Sequence, residues 1–127
     1  MSVSNGFSSL KVYRSSAGSG KTFTLVKEYL KIIFASKSDF AFKEVLAITF
    51  TNKAANEMKS RIIEVLEKLS NSDTELLNIY SEETNLTRLK LIEKANQILS
   101  RILHNYSDFS VFTIDKFTHR LIRSFSQ

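Results

Sequence analysis

Apolar positions recur along this chain with two different periods. Leu10-Lys11-Val12-Tyr13-Arg14 is short and β-rich and predicts a strand. Leu25, Val26, Tyr29, Leu30 and Ile33 then recur at helical spacing, with Lys27, Glu28 and Lys31 on the other side. Val45-Leu46-Ala47-Ile48-Thr49-Phe50 is a continuous apolar run and predicts a strand buried on both faces, as in parallel sheets. A second helix is expected from about Lys53, with Ala55, Met58, Ile62, Val65, Leu66 and Leu69 as its apolar stripe. Glu57/Arg61 and Glu64/Lys68 form i,i+4 pairs on its wet side.

Asn71-Ser72-Asp73 interrupts the pattern, and the segment to Asn85 is polar, with a short helix expected over Thr74 to Tyr80. A long helix follows from about Thr87 to Tyr106, with Leu89, Ile92, Ile98, Leu99, Ile102 and Leu103 inward. Phe109 to Ile114 predicts a third strand, Asp115 an N-cap, and Phe117, Leu121, Ile122 and Phe125 a last helix. Strands alternating with helices predict an α/β fold, a small and mostly parallel sheet flanked by helices. Three strands leave open sheet edges, which points to a longer parent chain.

Length sets a bound of one domain: 127 residues, 43% of them hydrophobic. No apolar run is long enough to span a membrane. Residues 1 to 7 lack the basic and apolar regions of a secretory signal. Cysteine is absent, which excludes disulfides and thiolate metal sites and fits a reducing compartment. Two histidines, His104 and His119, are too few for a histidine metal centre.

The formal charge is +5, unevenly placed. Leu69 to Thr87 holds four acids (Asp73, Glu75, Glu82, Glu83) and no base. The rest carries 18 basic residues against 9 acidic ones, the total of 13 less those four. A basic body suits a polyanion such as nucleic acid. Taken alone, charge describes a solvated basic surface first.

Proline is absent and glycine scarce, yet two of three glycines, Gly18 and Gly20, fall within one loop. Ser15-Ser16-Ala17-Gly18-Ser19-Gly20-Lys21-Thr22 joins the first predicted strand to the first predicted helix, the context a P-loop requires. Small residues let the backbone wrap a phosphate with its N–H groups turned inward. The helix start behind them adds its positive end. Lys21 would reach the β- and γ-phosphates, and the Thr22 hydroxyl would hold Mg²⁺. Ser15 stands where the usual pattern begins with glycine. The plain alternative is a flexible serine-glycine loop ending in an exposed lysine.

Two further strand ends open helices. In Thr49-Phe50-Thr51-Asn52-Lys53-Ala54-Ala55, Thr51 and Asn52 would cap a helix whose free N–H groups face a backbone phosphate. In Thr113-Ile114-Asp115-Lys116-Phe117-Thr118-His119, Lys116 and His119 would meet a phosphate and Phe117 would stack on a base. On residue chemistry alone the first is as readily an ordinary N-cap, and Phe117 as readily core.

Together the three segments resemble motifs I, Ia and the next DNA motif of UvrD/Rep-like superfamily 1 helicases. They read Ser-Ala-Gly-Ser-Gly-Lys-Thr, then Thr-Phe-Thr-Asn-Lys-Ala-Ala-x-Glu-Met-x-x-Arg-Ile, then Thr-Ile-Asp-Lys-Phe. The form of the first is similar to the RecB/AddA branch, which combines helicase and nuclease. The resemblance spans about residues 11 to 125.

It implies that residues 1–127 are the N-terminal portion of a RecA-like, ATP-binding lobe, with 69–106 as an acidic, helical insertion. The parent would be a cytoplasmic helicase of DNA repair that couples ATP hydrolysis to movement on single-stranded DNA. The implied cofactors are ATP and Mg²⁺, with Ser16, Ala17, Gly18, Ser19, Gly20, Lys21, Thr22 and Phe23 around the nucleotide. Lys21 and Thr22 would have the catalytic roles, Thr22 as the Mg²⁺ ligand. Thr51, Asn52, Lys53, Ala54, Asp115, Lys116 and Phe117 would meet DNA. The implied partners are single- and double-stranded DNA, the remainder of the helicase chain and a second helicase-nuclease subunit, with no membrane.

Several departures bear on activity. The family's Asp-Glu strand end, its arginine finger and its second RecA lobe have no counterpart in these residues. No glutamine precedes the loop to read adenine, Phe23 stands where many relatives carry arginine, and Asp115 replaces a common histidine. The isolated chain is therefore expected to bind without turning over. Two other classes compete: a small P-loop phosphotransferase, which needs lid arginines where 69–106 offers only Arg88 and Arg101, and a non-catalytic nucleic-acid-binding module, which leaves Gly18 to Thr22 unexplained.

Overall fold

The structure is a computed structural model that describes the backbone of residues 2–5, 10–12 and 20–125, and side chains over 23–125. In chain order it comprises β1 (Ser2–Asn5), β2 (Leu10–Val12), α1 (Gly20–Ala35), β3 (Val45–Thr49), α2 (Asn52–Ser70), α3 (Thr74–Thr84), α4 (Arg88–His104), β4 (Val111–Thr113) and α5 (Ile114–Phe125). Short 3₁₀ turns, Ala41–Lys43 and Tyr106–Asp108, precede β3 and β4. Of the expected first strand, Tyr13 and Arg14 lie outside the described residues.

Local chemistry sets the helix boundaries. Thr51, Asp73 and Thr87 are N-caps: their side-chain oxygens accept from the N–H groups of Ala54, Leu76 and Lys90 at 3.0, 3.0 and 3.2 Å. α3 ends on Asn85, in the left-handed region at φ 59°, which asparagine tolerates better than most residues. α1 is finished from a distance. Lys94 of α4 donates from Nζ to the carbonyls of Phe34 and Ser36, 2.7 Å each, placing a cation at the negative end of that helix.

The strands form one sheet in the order β2-β1-β3-β4. β1 pairs antiparallel with both β2 and β3, and β3 pairs parallel with β4, Thr49 opposite Thr113. The expectation of a mostly parallel sheet needs correcting in its pairings. β2, β3 and β4 do run the same way, but β1 lies reversed between β2 and β3. That strand comes from Ser2-Val3-Ser4-Asn5, too polar to read as a strand by itself. Nor is β3 buried on both faces. Val45, Ala47 and Thr49 are buried, whereas Leu46 and Ile48 on the other face are half-covered.

One core joins the sheet to the helices. It holds Tyr29, Leu30, Ile33 and Phe34 of α1, Met58, Ile62, Leu66 and Leu69 of α2, Leu77 and Tyr80 of α3, and Val45, Ala47 and Val111 of the sheet. The α4 side consists of Leu91, Ala95, Ile98 and Ile102. The segment 69–106 therefore supplies core residues and is no detached appendage. Its acidic side meets the basic side of α1: Glu83 lies 3.3 Å from both Lys27 and Lys31. The hydrogen bond to Lys31, then that to Lys27, holds the Glu83 carboxyl below the usual range.

The expected inward face of α4 is partly wrong. Leu89 and Leu103 are 81% and 54% exposed, and Ile92 and Leu99 are only half-buried. The face turned toward α2 follows Leu91, Ala95, Ile98 and Ile102, spaced i, i+4, i+7 and i+11. Ala95, easily passed over because it is small, is what lets the helices approach.

Tyr29 and Tyr80 are fully buried, and among the described residues neither hydroxyl has a hydrogen-bond partner. Burial pushes both phenols well above the ordinary tyrosine range. An unpaired buried hydroxyl costs about 1–3 kcal/mol. Tyr80→Phe keeps the edge-on contact with Phe34, whose ring centroid is 6.1 Å away, and removes that penalty. The expected result is a gain of about 1 kcal/mol in urea denaturation. A loss of that size would mean that the hydroxyl has a partner.

Candidate functional site

Because β2, β3 and β4 run the same way, their C-terminal ends lie along one edge of the sheet. Each is followed by a helix: α1, α2 and α5. Crevices outside such strand ends are where ligands collect in α/β sheets.

At the first junction, Gly20, Lys21 and Thr22 form the opening turn of α1, which holds no acidic residue. The unpaired N–H groups of such a turn and its positive dipole end are the backbone half of a phosphate site. Ser16, Ala17, Gly18 and Ser19, and the side chains of Lys21 and Thr22, lie outside the described residues. Phe23 is exposed and lines a cleft of about 350 Å³ with Val26 of α1, Arg61, Val65 and Lys68 of α2, and Leu76 of α3.

At the second junction, Thr51 caps α2 and Asn52 and Lys53 stand exposed on its first turn. Ala54 is half-buried, and Ala55 beneath it is in the core. The buried Thr49 ties this junction to the next: its hydroxyl donates to Thr51 O at 3.1 Å and to Phe112 O at 3.3 Å.

At the third junction the expected cap needs correcting. α5 begins at Ile114, two residues earlier than a cap at Asp115 allows. Thr113 Oγ1 accepts from Lys116 N–H at 3.3 Å, and Asp115 is an exposed first-turn residue. Thr113, not Asp115, therefore holds the capping position, its side chain reaching the N–H three residues on. Lys116 is exposed and Phe117 half-buried. Lys59 of α2 approaches this junction. Burial, then the Lys116 ammonium beside it, holds the Lys59 ammonium below the usual lysine range.

Three residues of this edge have no site role assigned from the sequence, although all fall within the second motif: Thr49, Phe50 and Lys59. Phe50 is 65% exposed at the end of β3. It lies on the parity of Leu46 and Ile48, the less covered face, but an unbroken apolar run hides that alternation. Thr49 acts across 63 residues, and Lys59 through a neighbour on another helix, so neither carries a local signal.

The sequence profile described as UvrD/REP helicase N-terminal domain matches residues 4–127. The chain is 28% identical to the RecBCD enzyme subunit RecB of Buchnera aphidicola subsp. Acyrthosiphon pisum, over 90% of this chain and 10% of that protein. It is 35% identical to an ATP-dependent helicase/nuclease subunit of Bacillus cytotoxicus, over 87% of this chain and 7% of the relative. For the ATP-dependent helicase/nuclease subunit of Clostridium beijerinckii the identity is 33%, over 72% and 7%. The chain thus spans a tenth or less of the length of these curated relatives. No solved structure matches it. No helix among the described residues is long and apolar enough to cross a membrane.

Proposed function

The chain belongs to the UvrD/REP helicase N-terminal domain family, and from that premise we propose that it is the ATP-binding portion of an ATP-dependent DNA helicase that couples hydrolysis to translocation on single-stranded DNA. The observation that carries this reading is the common edge on which the three strand-to-helix junctions open. A phosphate loop and two DNA-facing helix starts on one edge give a short mechanical path from nucleotide to DNA. Thr49, whose one hydroxyl proton is shared between carbonyls of both DNA-facing junctions, links them.

In this reading the first-turn amides of α1 bind the β- and γ-phosphates, and Lys21 neutralises them. Thr22 helps hold Mg²⁺, which supplies charge neutralisation to phosphoryl transfer. Phe23, beside an open cleft, offers a face to the base. Thr51, Asn52, Lys53, Ala54, Asp115, Lys116 and Phe117 line the DNA side, and exposed Phe50 adds a stacking surface. The parent is a cytoplasmic helicase-nuclease of recombinational repair, working with its own remaining domains and a second helicase-nuclease subunit.

Residues 1–127 alone are expected not to turn over. Hydrolysis needs an acid on the metal, a residue orienting water and usually an arginine. Asp108 lies before β4, at the opposite edge of the sheet from the start of α1, 3.7 Å from Lys43. ATPase assays of the full-length product and of residues 1–127, each with and without single-stranded DNA, test this. DNA-stimulated turnover is expected only of the former. Turnover by residues 1–127 would overturn the division of labour, and none by the full-length product would overturn the helicase reading.

A further inference from the structure

α5 is two-faced, and its two faces are chemically opposite. Lys116, His119, Arg120 and Arg123 follow i, i+3, i+4 and i+7, one stripe of the helix. Ile114, Leu121 and Phe125 fall on the other side. The basic stripe is exposed. With Phe112 of β4 it lines an open cleft of about 450 Å³, and none of the lining residues is acidic. The Arg120 guanidinium sits over the Phe112 ring, 4.7 Å from its centroid. That volume suits an organic ligand, since small-molecule sites run from about 300 to 1,000 Å³, and exceeds what a lone inorganic ion needs.

We propose that this cleft between β4 and α5 is a subsite for single-stranded nucleic acid, with phosphates on the Lys116–Arg120–Arg123 stripe and a base stacked on the Arg120–Phe112 pair. It deepens the DNA-translocation reading and rests on it, because Lys116 belongs both to the proposed DNA edge and to the cleft. Arg120 and Arg123 lie one and two turns further along α5, so the bound strand continues from the Thr51 and Thr113 helix starts down this helix. Two features favour nucleic acid over an acidic polypeptide. The cations repeat along an exposed helix face as phosphates repeat along a strand, and the aromatic floor offers stacking, which a carboxylate-rich peptide cannot use. The Lys59 ammonium, destabilised first by burial and then by Lys116 beside it, adds to the positive field that a phosphate relieves.

The test uses the 127-residue chain and a fluorescein-labelled oligothymidylate, followed by anisotropy across a salt series. Arg120 and Arg123 are exposed, so the double variant Arg120→Gln, Arg123→Gln is expected to fold as the parent does, checked by circular dichroism. It should flatten the log–log salt slope by about 1.4, two phosphates at roughly 0.7 each. Phe112→Leu should weaken binding about fivefold or more with the slope unchanged. If Phe112→Leu fails to fold, the arginine pair decides alone. Asn52→Ala reports on the underlying reading. A wild-type slope in the arginine variant, with Asn52→Ala still weakened, overturns the cleft and leaves the helicase reading standing. Absence of any binding by the unmutated chain at low salt overturns both. Displacement by poly-glutamate as effective as by unlabelled oligothymidylate, at equal charge, overturns nucleic acid as the occupant.

Discussion

Lys21→Ala is expected to weaken Mg-ATP binding roughly 10- to 150-fold, the equivalent of losing charge-assisted hydrogen bonds of about 1.5–3 kcal/mol. The Gly-Lys-Thr sequence opens α1 at the common edge, and its first turn holds no acid to answer the lysine. The amides of that turn remain in the variant, so binding should weaken without vanishing. Isothermal titration of residues 1–127 with Mg-ATP and with ADP separates the contributions, since the lysine serves the terminal phosphates most. Lys53→Ala, on α2, is the matched control and should leave nucleotide affinity unchanged. Equal affinity in Lys21→Ala and the unmutated chain would mean that the loop is only a connector.

Ile98→Ala is expected to cost about 2–5 kcal/mol in urea denaturation, a large fraction of the roughly 5–15 kcal/mol that holds a domain together. Ile98 is fully buried where α4 meets α2, near Ala95 on the same face. Removing its side chain leaves a cavity that two packed helices close only in part. Leu103→Ala, five residues on, should change stability by no more than about 0.5 kcal/mol, because Leu103 is exposed. Comparing the two tests the orientation of α4 directly. Equal losses would mean that both faces of the helix are covered.

Much of the local structure could be read from residues alone. The stripe Leu25, Val26, Tyr29, Leu30 and Ile33 is buried as its spacing predicts, and so is the α2 stripe apart from half-buried Val65. α3 exists, though it runs to Thr84, a turn past the expected end. In α4 Leu89 and Leu103 misled, and Ala95 on the inward face went unmarked, because a small residue has too little hydrophobicity to mark a face. Phe50 misled for the opposite reason, as a large apolar residue that ends up exposed beyond its strand.

What the sequence determined by itself is short-ranged: the helices, the Thr51 cap of α2, and three motifs, each a single short stretch of consecutive residues. Periodicity and capping act over one or two turns, so they survive without knowledge of the rest of the chain. The tertiary structure decided what depends on distant partners. It placed β1 reversed between β2 and β3, and left one sheet face half-covered. It also closed α1 with Lys94, paired Glu83 with Lys27 and Lys31 along that helix, and bonded Thr49 to the carbonyl of Phe112. The basic stripe of α5 is legible in the sequence, but its meeting with Phe112 is not, because the orientation of a helix against a sheet is set by side chains packing across the fold.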